Sequence, residues 1–137
     1  MTIGLGFTTA PAAESIMGSL GTDKAGVGSA VNDTTRELGG TLGVAVIGSV
    51  FNSFYLSSLT DAPVVASLPA EARAATEESV GAAGVVAQEL GPLAPDYLNE
   101  VSEAFLNGFS FASLVAAGTA AAAALAASRF LPARAVD

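Results

Sequence analysis

An all-α fold of multi-pass transmembrane helices is predicted by three features of the 137-residue sequence. Residues 38–60 and 104–128 form two runs of about 23 and 25 residues without a charge, enough for a helix rising ~1.5 Å per residue to cross a ~30 Å hydrocarbon layer. Only 13% of the residues are charged, against about a quarter in soluble domains, while 51% are apolar and the mean hydropathy is +0.56. The charge that remains is segregated: residues 61–103 hold eight acids and one base. The architecture this predicts is one truncated and two full spans, a partial bundle.

The first segment, 1–20, is apolar apart from Glu14 and has no hydrophilic flank before Met1, so it is expected to begin inside a helix whose first turns are missing. It lacks a basic stretch ahead of its apolar run, which argues against a cleaved secretory signal. Pro11 is expected to kink it by removing a backbone donor and crowding the preceding turn. Gly21, Thr22 and Asp23 form a short polar turn, with Thr22 or Asp23 placed to cap the next helix.

The second segment, 22–60, reads as one long helix that starts in water and enters the membrane, since its polar half runs into its apolar half without a breaker. Ser29, Asn32, Arg36, Gly39 or Gly40, Gly43 and Ile47 recur at spacings of three and four and so share a face. Val27, Ala30, Leu38, Leu42, Ala45 and Ser49 lie opposite. Gly39 and Gly43 form a GxxxG, a spacing that lets a neighbouring backbone approach closely where lipid gives no hydrophobic drive. With Gly40 they are the candidate helix-packing positions.

Residues 61–103 read as an aqueous loop with one amphipathic helix. Pro69 suits its first turn, Ala72, Ala75, Ser79, Ala82, Val86 and Leu90 fall on one side, and Gly91-Pro92 ends it. Gly81 and Gly84 each cost up to ~1 kcal/mol against alanine, so this helix needs a surface to lie on. Asp96 is placed to cap a last helix starting near Tyr97. That helix carries the full span 104–130, in which Gly108, Ala112, Gly118 and Ala122 suit tight packing, and it is followed by a short tail, 131–137.

Four of the five bases, Lys24, Arg36, Arg129 and Arg134, fall on one side of the three segments; the positive-inside rule puts that side in the cytoplasm and the acidic loop 61–103 outside the plasma membrane. A net charge of -8 argues against a nucleic-acid partner. With neither cysteine nor histidine, disulfides, thiol nucleophiles, Cys/His metal sites and histidine acid–base catalysis are excluded together. Gly4-Leu5-Gly6 is followed by Thr9 where a dinucleotide fingerprint needs glycine, and Lys24 does not complete a phosphate-binding loop. The chain is therefore expected to be neither an enzyme nor a carrier of a cofactor or metal.

The ordered string GLGFTTAPAAESIMGSL, then AGVGSAVNDTTRELGGTLGVAVIGSV, resembles the C-terminal part of the EmrB/QacA-type, fourteen-span drug:proton antiporters of the major facilitator superfamily. It covers Gly4 to about Asn52 closely and Phe105 to Arg134 in pattern. The resemblance implies that these are helices twelve to fourteen, with the C-terminus cytoplasmic. About eleven further helices, which in such transporters carry the proton-coupling carboxylates and most of the drug cavity, would complete the bundle. The implied partners are the lipid bilayer, those remaining helices, and hydrophobic or cationic small molecules moved outward by proton antiport. The alternative is a small stand-alone membrane protein that binds other membrane helices without transporting anything itself.

Two sets of polar residues stand out as candidate sites. Glu14, a carboxylate inside a hydrophobic run, is either a cavity-lining or proton-linked group, or a side chain that reaches the nearby interface or an arginine. Arg36 with Asp33, Asn32 and Glu37 forms either a cytoplasmic latch that alternates as the bundle rocks, or an ordinary juxtamembrane cation cluster.

Overall fold

The computed structural model describes residues 2–18 and 24–130, and among these every regular element is helical. In order they are α1 (Thr2–Gly18), α2 (Ala25–Thr60), α3 (Pro63–Ser67), α4 (Ala70–Glu78), α5 (Val80–Glu89), a 3₁₀ turn at Gly91–Leu93, and α6 (Ala94–Phe130). The turn expected at 21–23, with its capping Thr22 or Asp23, and the tail 131–137 lie outside the described residues. The chain divides into two compact units, Ala45–Ala122 and Met1–Val44 with Ala123–Asp137.

In the second of these, α1 continues through Pro11 as one helix. The early part of α2 buries Gly28 and half-buries Asn32 and Gly43, leaving Leu38 and Leu42 exposed. Positions 28, 32, 39 and 43 form a single stripe at 100° per residue. The polar and glycine face is therefore the more covered one, and the leucine face is open.

The unit 45–122 holds the hydrophobic core. Tyr55 and Leu59 of α2, Val65 of α3, Ala83 and Ala87 of α5, and Tyr97, Val101 and Ala104 of α6 are buried together, joined by Ala62 and Leu68 from the connections. Three short helices form a cap over the end of α2 and the beginning of α6. The cap corrects two expectations from the sequence. The single amphipathic helix is two, α4 and α5, because Ser79 leaves the helix with extended backbone (φ -163°, ψ 150°) and its hydroxyl accepts from the Ala82 amide at 3.0 Å, starting a new helix. The break rotates the buried face: Thr76, Ala83 and Ala87 are buried, while Ala75 and Ala82 are only partly covered and Ser79 is exposed. Removing that cap by Ser79→Ala is expected to cost about 1 kcal/mol, read as a lower thermal unfolding midpoint with little change in helix content at low temperature.

The second correction concerns the last helix. It begins at Ala94, inside the stretch read as loop, so Asp96 sits in its first turn and acts on the helix dipole rather than as the cap. Pro69 likewise occupies the cap position before α4 rather than its first turn. Gly91 takes φ +53°, a left-handed conformation that only glycine adopts cheaply, and the chain turns there from α5 into α6.

Pro63 opens α3, whose free amides are met from another helix: the Glu100 carboxylate of α6 accepts from Val64 N at 3.0 Å and Val65 N at 3.1 Å. Glu100→Gln is expected to cost about 1–2 kcal/mol, since a charged acceptor shared by two amides is lost. Glu103→Gln, whose carboxylate receives only a 3.4 Å bond from Asn99 on its own helix, should stay within about 0.5 kcal/mol in the same thermal scan.

Candidate functional site

At about 1.5 Å per residue, α2 and α6 are each some 54–56 Å long, so each can cross a ~30 Å hydrocarbon layer with several turns to spare. Both contain stretches long and apolar enough to span a membrane. Only 11% and 6% of the most apolar stretch of each is buried, whereas the core helix of a soluble protein would be mostly covered. Leu42, Val44, Leu114 and Leu125 are all at least 65% exposed. Hydroxyls along these helices fold back on their own backbone: Thr41 donates to Glu37 O at 2.8 Å, Ser53 to Ser49 O at 2.9 Å, Ser110 to Leu106 O at 2.7 Å and Thr119 to Val115 O at 2.9 Å. This is how a hydroxyl on an apolar helix face is satisfied without water.

Within residues 45–122, α2 and α6 meet closely. A Cβ placed on Gly108 would lie 2.8 Å from the Phe51 carbonyl oxygen and 3.1 Å from its ring, so the absence of a side chain sets the approach. Phe54 and Phe111 stack with centroids 3.8 Å apart, and Phe51 meets Phe105 edge-on at 5.5 Å. Asn107 donates to Ser58 Oγ across the same seam at 2.7 Å.

Nearer the cap stands a buried cluster of hydroxyls. Thr76 and Tyr97 are fully buried and their hydroxyls lie 2.7 Å apart; Thr76 Oγ1 also donates to Ala72 O at 2.8 Å. That leaves Tyr97 as the donor to Thr76 if each hydroxyl gives one proton. Tyr55 donates to the Thr76 carbonyl at 2.8 Å, one of the last carbonyls of α4, which has no partner within its own helix. Among the described residues no buried side-chain oxygen or nitrogen lacks a partner. Beside the cap a polar depression of about 630 Å³ is lined by Ser58, Asp61, Asn99, Glu100, Glu103 and Asn107.

The residues singled out in the sequence lie elsewhere. Glu14 is exposed on α1. Asp33, Arg36 and Glu37 are exposed and line one shallow depression of about 370 Å³ on α2, whereas Asn32 is half-buried and is not among its lining residues. Nothing described lies within 4 Å of a Cβ built on Gly39, Gly40 or Gly43. Among the glycines of residues 45–122, Gly108 receives a neighbouring helix, and it is one of the small residues expected to pack in the last span. Tyr55, Thr76 and Tyr97 were not distinguished by sequence pattern; the available signal was the two tyrosines standing where apolar runs meet the acidic segment.

Among the described residues no group of His, Cys, Asp or Glu is arranged to hold a metal ion. What the geometry defines is an all-helical polypeptide with two helices long and apolar enough to span a membrane, whose parts within residues 45–122 are joined through a packed cap of three short helices. Over 123 residues, 89% of its length, the chain is 35% identical to the multidrug efflux pump LfrA of Mycolicibacterium smegmatis (strain ATCC 700084 / mc(2)155). It is thus related to a drug efflux transporter, of whose length the aligned part makes up 24%. No protein-family model matches the chain, and no solved structure matches it.

Proposed function

We propose that this chain forms the last three helices of a fourteen-span, EmrB/QacA-type drug:proton antiporter of the major facilitator superfamily, exporting hydrophobic or cationic compounds across the plasma membrane. The observation that carries the reading is the 35% identity to a multidrug efflux pump over nearly the whole chain, in a molecule whose two longest helices expose their apolar surface. In this arrangement the polar half of α2 and the C-terminus are cytoplasmic and the cap is extracellular, following the distribution of bases. Gly39, Gly40 and Gly43 have open space about them and are the positions at which the remaining helices would pack.

In this reading Glu14 is a proton-linked or cavity-lining group, and Asn32, Asp33, Arg36 and Glu37 act as a cytoplasmic latch between conformations. The chain has no enzymatic role and takes no cofactor; its partners are lipid, the other helices and the exported compounds. The test is efflux of a fluorescent hydrophobic cation, rhodamine 6G, from cells expressing the segment within a complete transporter, with and without a protonophore. Protonophore-sensitive efflux that Glu14→Gln slows at least about tenfold, and that Arg36→Ala also slows, is the expected outcome. Wild-type efflux by Glu14→Gln removes the proton role, and unchanged folding and efflux in Arg36→Ala removes the latch.

A further inference from the structure

The unit 45–122 is held shut at four places of different chemistry. Glycine against backbone at Gly108 and Phe51 fixes the helix separation, and the Phe54–Phe111 stack fills the seam beside it. The Tyr55–Thr76–Tyr97 cluster ties both long helices to the same residue of the cap. Glu100 of α6 holds the strap α3, which leaves α2 only three residues earlier. The tight contact is local: Gly48 and Gly118, in the same unit, have nothing within 4 Å of a Cβ built on them.

We propose that this unit is a closed clasp: the cap locks the adjoining parts of α2 and α6 into one rigid body, and no exported compound passes between them at that end. The physical ground is that opening would have to break every one of these contacts together. Opening would expose the fully buried hydroxyls of Thr76 and Tyr97 and separate a backbone pair already at its steric limit. Packed interfaces of this kind move as units rather than stretch. The second half of the proposal rests on the transporter reading; the first half does not.

The chain contains no cysteine, so in a complete transporter whose other cysteines are replaced, Ser58→Cys with Asn107→Cys introduces a single possible link across the seam, at side chains now hydrogen-bonded at 2.7 Å. Membranes containing the double variant are treated with oxidant, or with a short bis-thiosulfonate reagent that tolerates a less favourable geometry. This is done with and without rhodamine 6G and at neutral and mildly acidic pH. Near-complete intramolecular linking that neither dye nor pH alters is expected. A partial yield, or one that dye or pH changes, overturns the clasp. Phe54→Cys with Phe111→Cys repeats the measurement at the stacked pair should the first variant fail to accumulate. Linked cells should export rhodamine 6G within about twofold of reduced cells, as expected for a link within one moving body. Efflux that stops on linking and returns on reduction overturns the rigid-body claim. With the segment carried in a complete transporter, absence of efflux in both the reduced variant and the unsubstituted parent counts against the transporter reading, while the linking yield still decides the clasp.

Discussion

Gly108→Ala and Gly108→Val are expected to lose stability in steps, about 1–2 kcal/mol for alanine and 2–4 for valine. The added carbon meets the Phe51 carbonyl oxygen at 2.8 Å, and a backbone atom cannot rotate away as a flexible side chain would. Phe51 is itself held by Tyr55 on one side and Phe105 on the other, with ring centroids 5.8 and 5.5 Å away, so relief requires the two helices to part. Gly118 gives the control on the same helix. Its surroundings are open to 4 Å, and Gly118→Ala should be neutral or slightly stabilising, because alanine favours helix by up to ~1 kcal/mol. Thermal unfolding of the purified chain in detergent measures both. Equal midpoints for the two alanine variants would mean that the seam does not close at Gly108.

The second large effect concerns the hydroxyl cluster. Thr76→Val keeps the shape of the side chain but strands the Tyr97 hydroxyl in a fully buried position, an expected loss of about 2–3 kcal/mol. Tyr97→Phe leaves Thr76 still bonded to the Ala72 carbonyl and should cost about 1 kcal/mol. The double variant removes both ends of one bond, so it should be more stable than the sum of the single losses predicts, by about 1 kcal/mol in a double-mutant cycle. Additive losses would show that the 2.7 Å contact contributes nothing of its own.

The all-α class and the two long apolar helices were legible because an uncharged run of membrane length is a one-dimensional signal. It needs no knowledge of what lies beside it. The break at Ser79 was not legible: Ala72 to Leu90 keeps helical spacing throughout, and a serine within it reads equally as a tolerated polar residue or as a cap. Only the cost of keeping Thr76 and Ala83 on one buried side decides between them. The glycines show the same limit from the other direction. Gly39, Gly43 and Gly108 are all small residues in apolar helices, and which of them receives a neighbour depends on residues more than fifty positions away, such as Phe51 for Gly108. Thr76 could not be found by pattern, since its two tyrosine partners are each 21 residues distant.

That equal spacing bears on how the chain is made. Tyr55 can reach the Thr76 carbonyl as soon as α4 has formed, but the Thr76 hydroxyl has no partner outside its own helix until residue 97 has left the ribosome and joined it. A cap formed before α6 would be tethered to α2 alone, with Ala83, Ala87 and Val65 lacking the α6 side of their core. Variants that weaken Tyr97 or Val101 are expected to prolong such a stage more than variants of Tyr55. Their cost would be read in the amount of protein that survives quality control, before any difference in its activity.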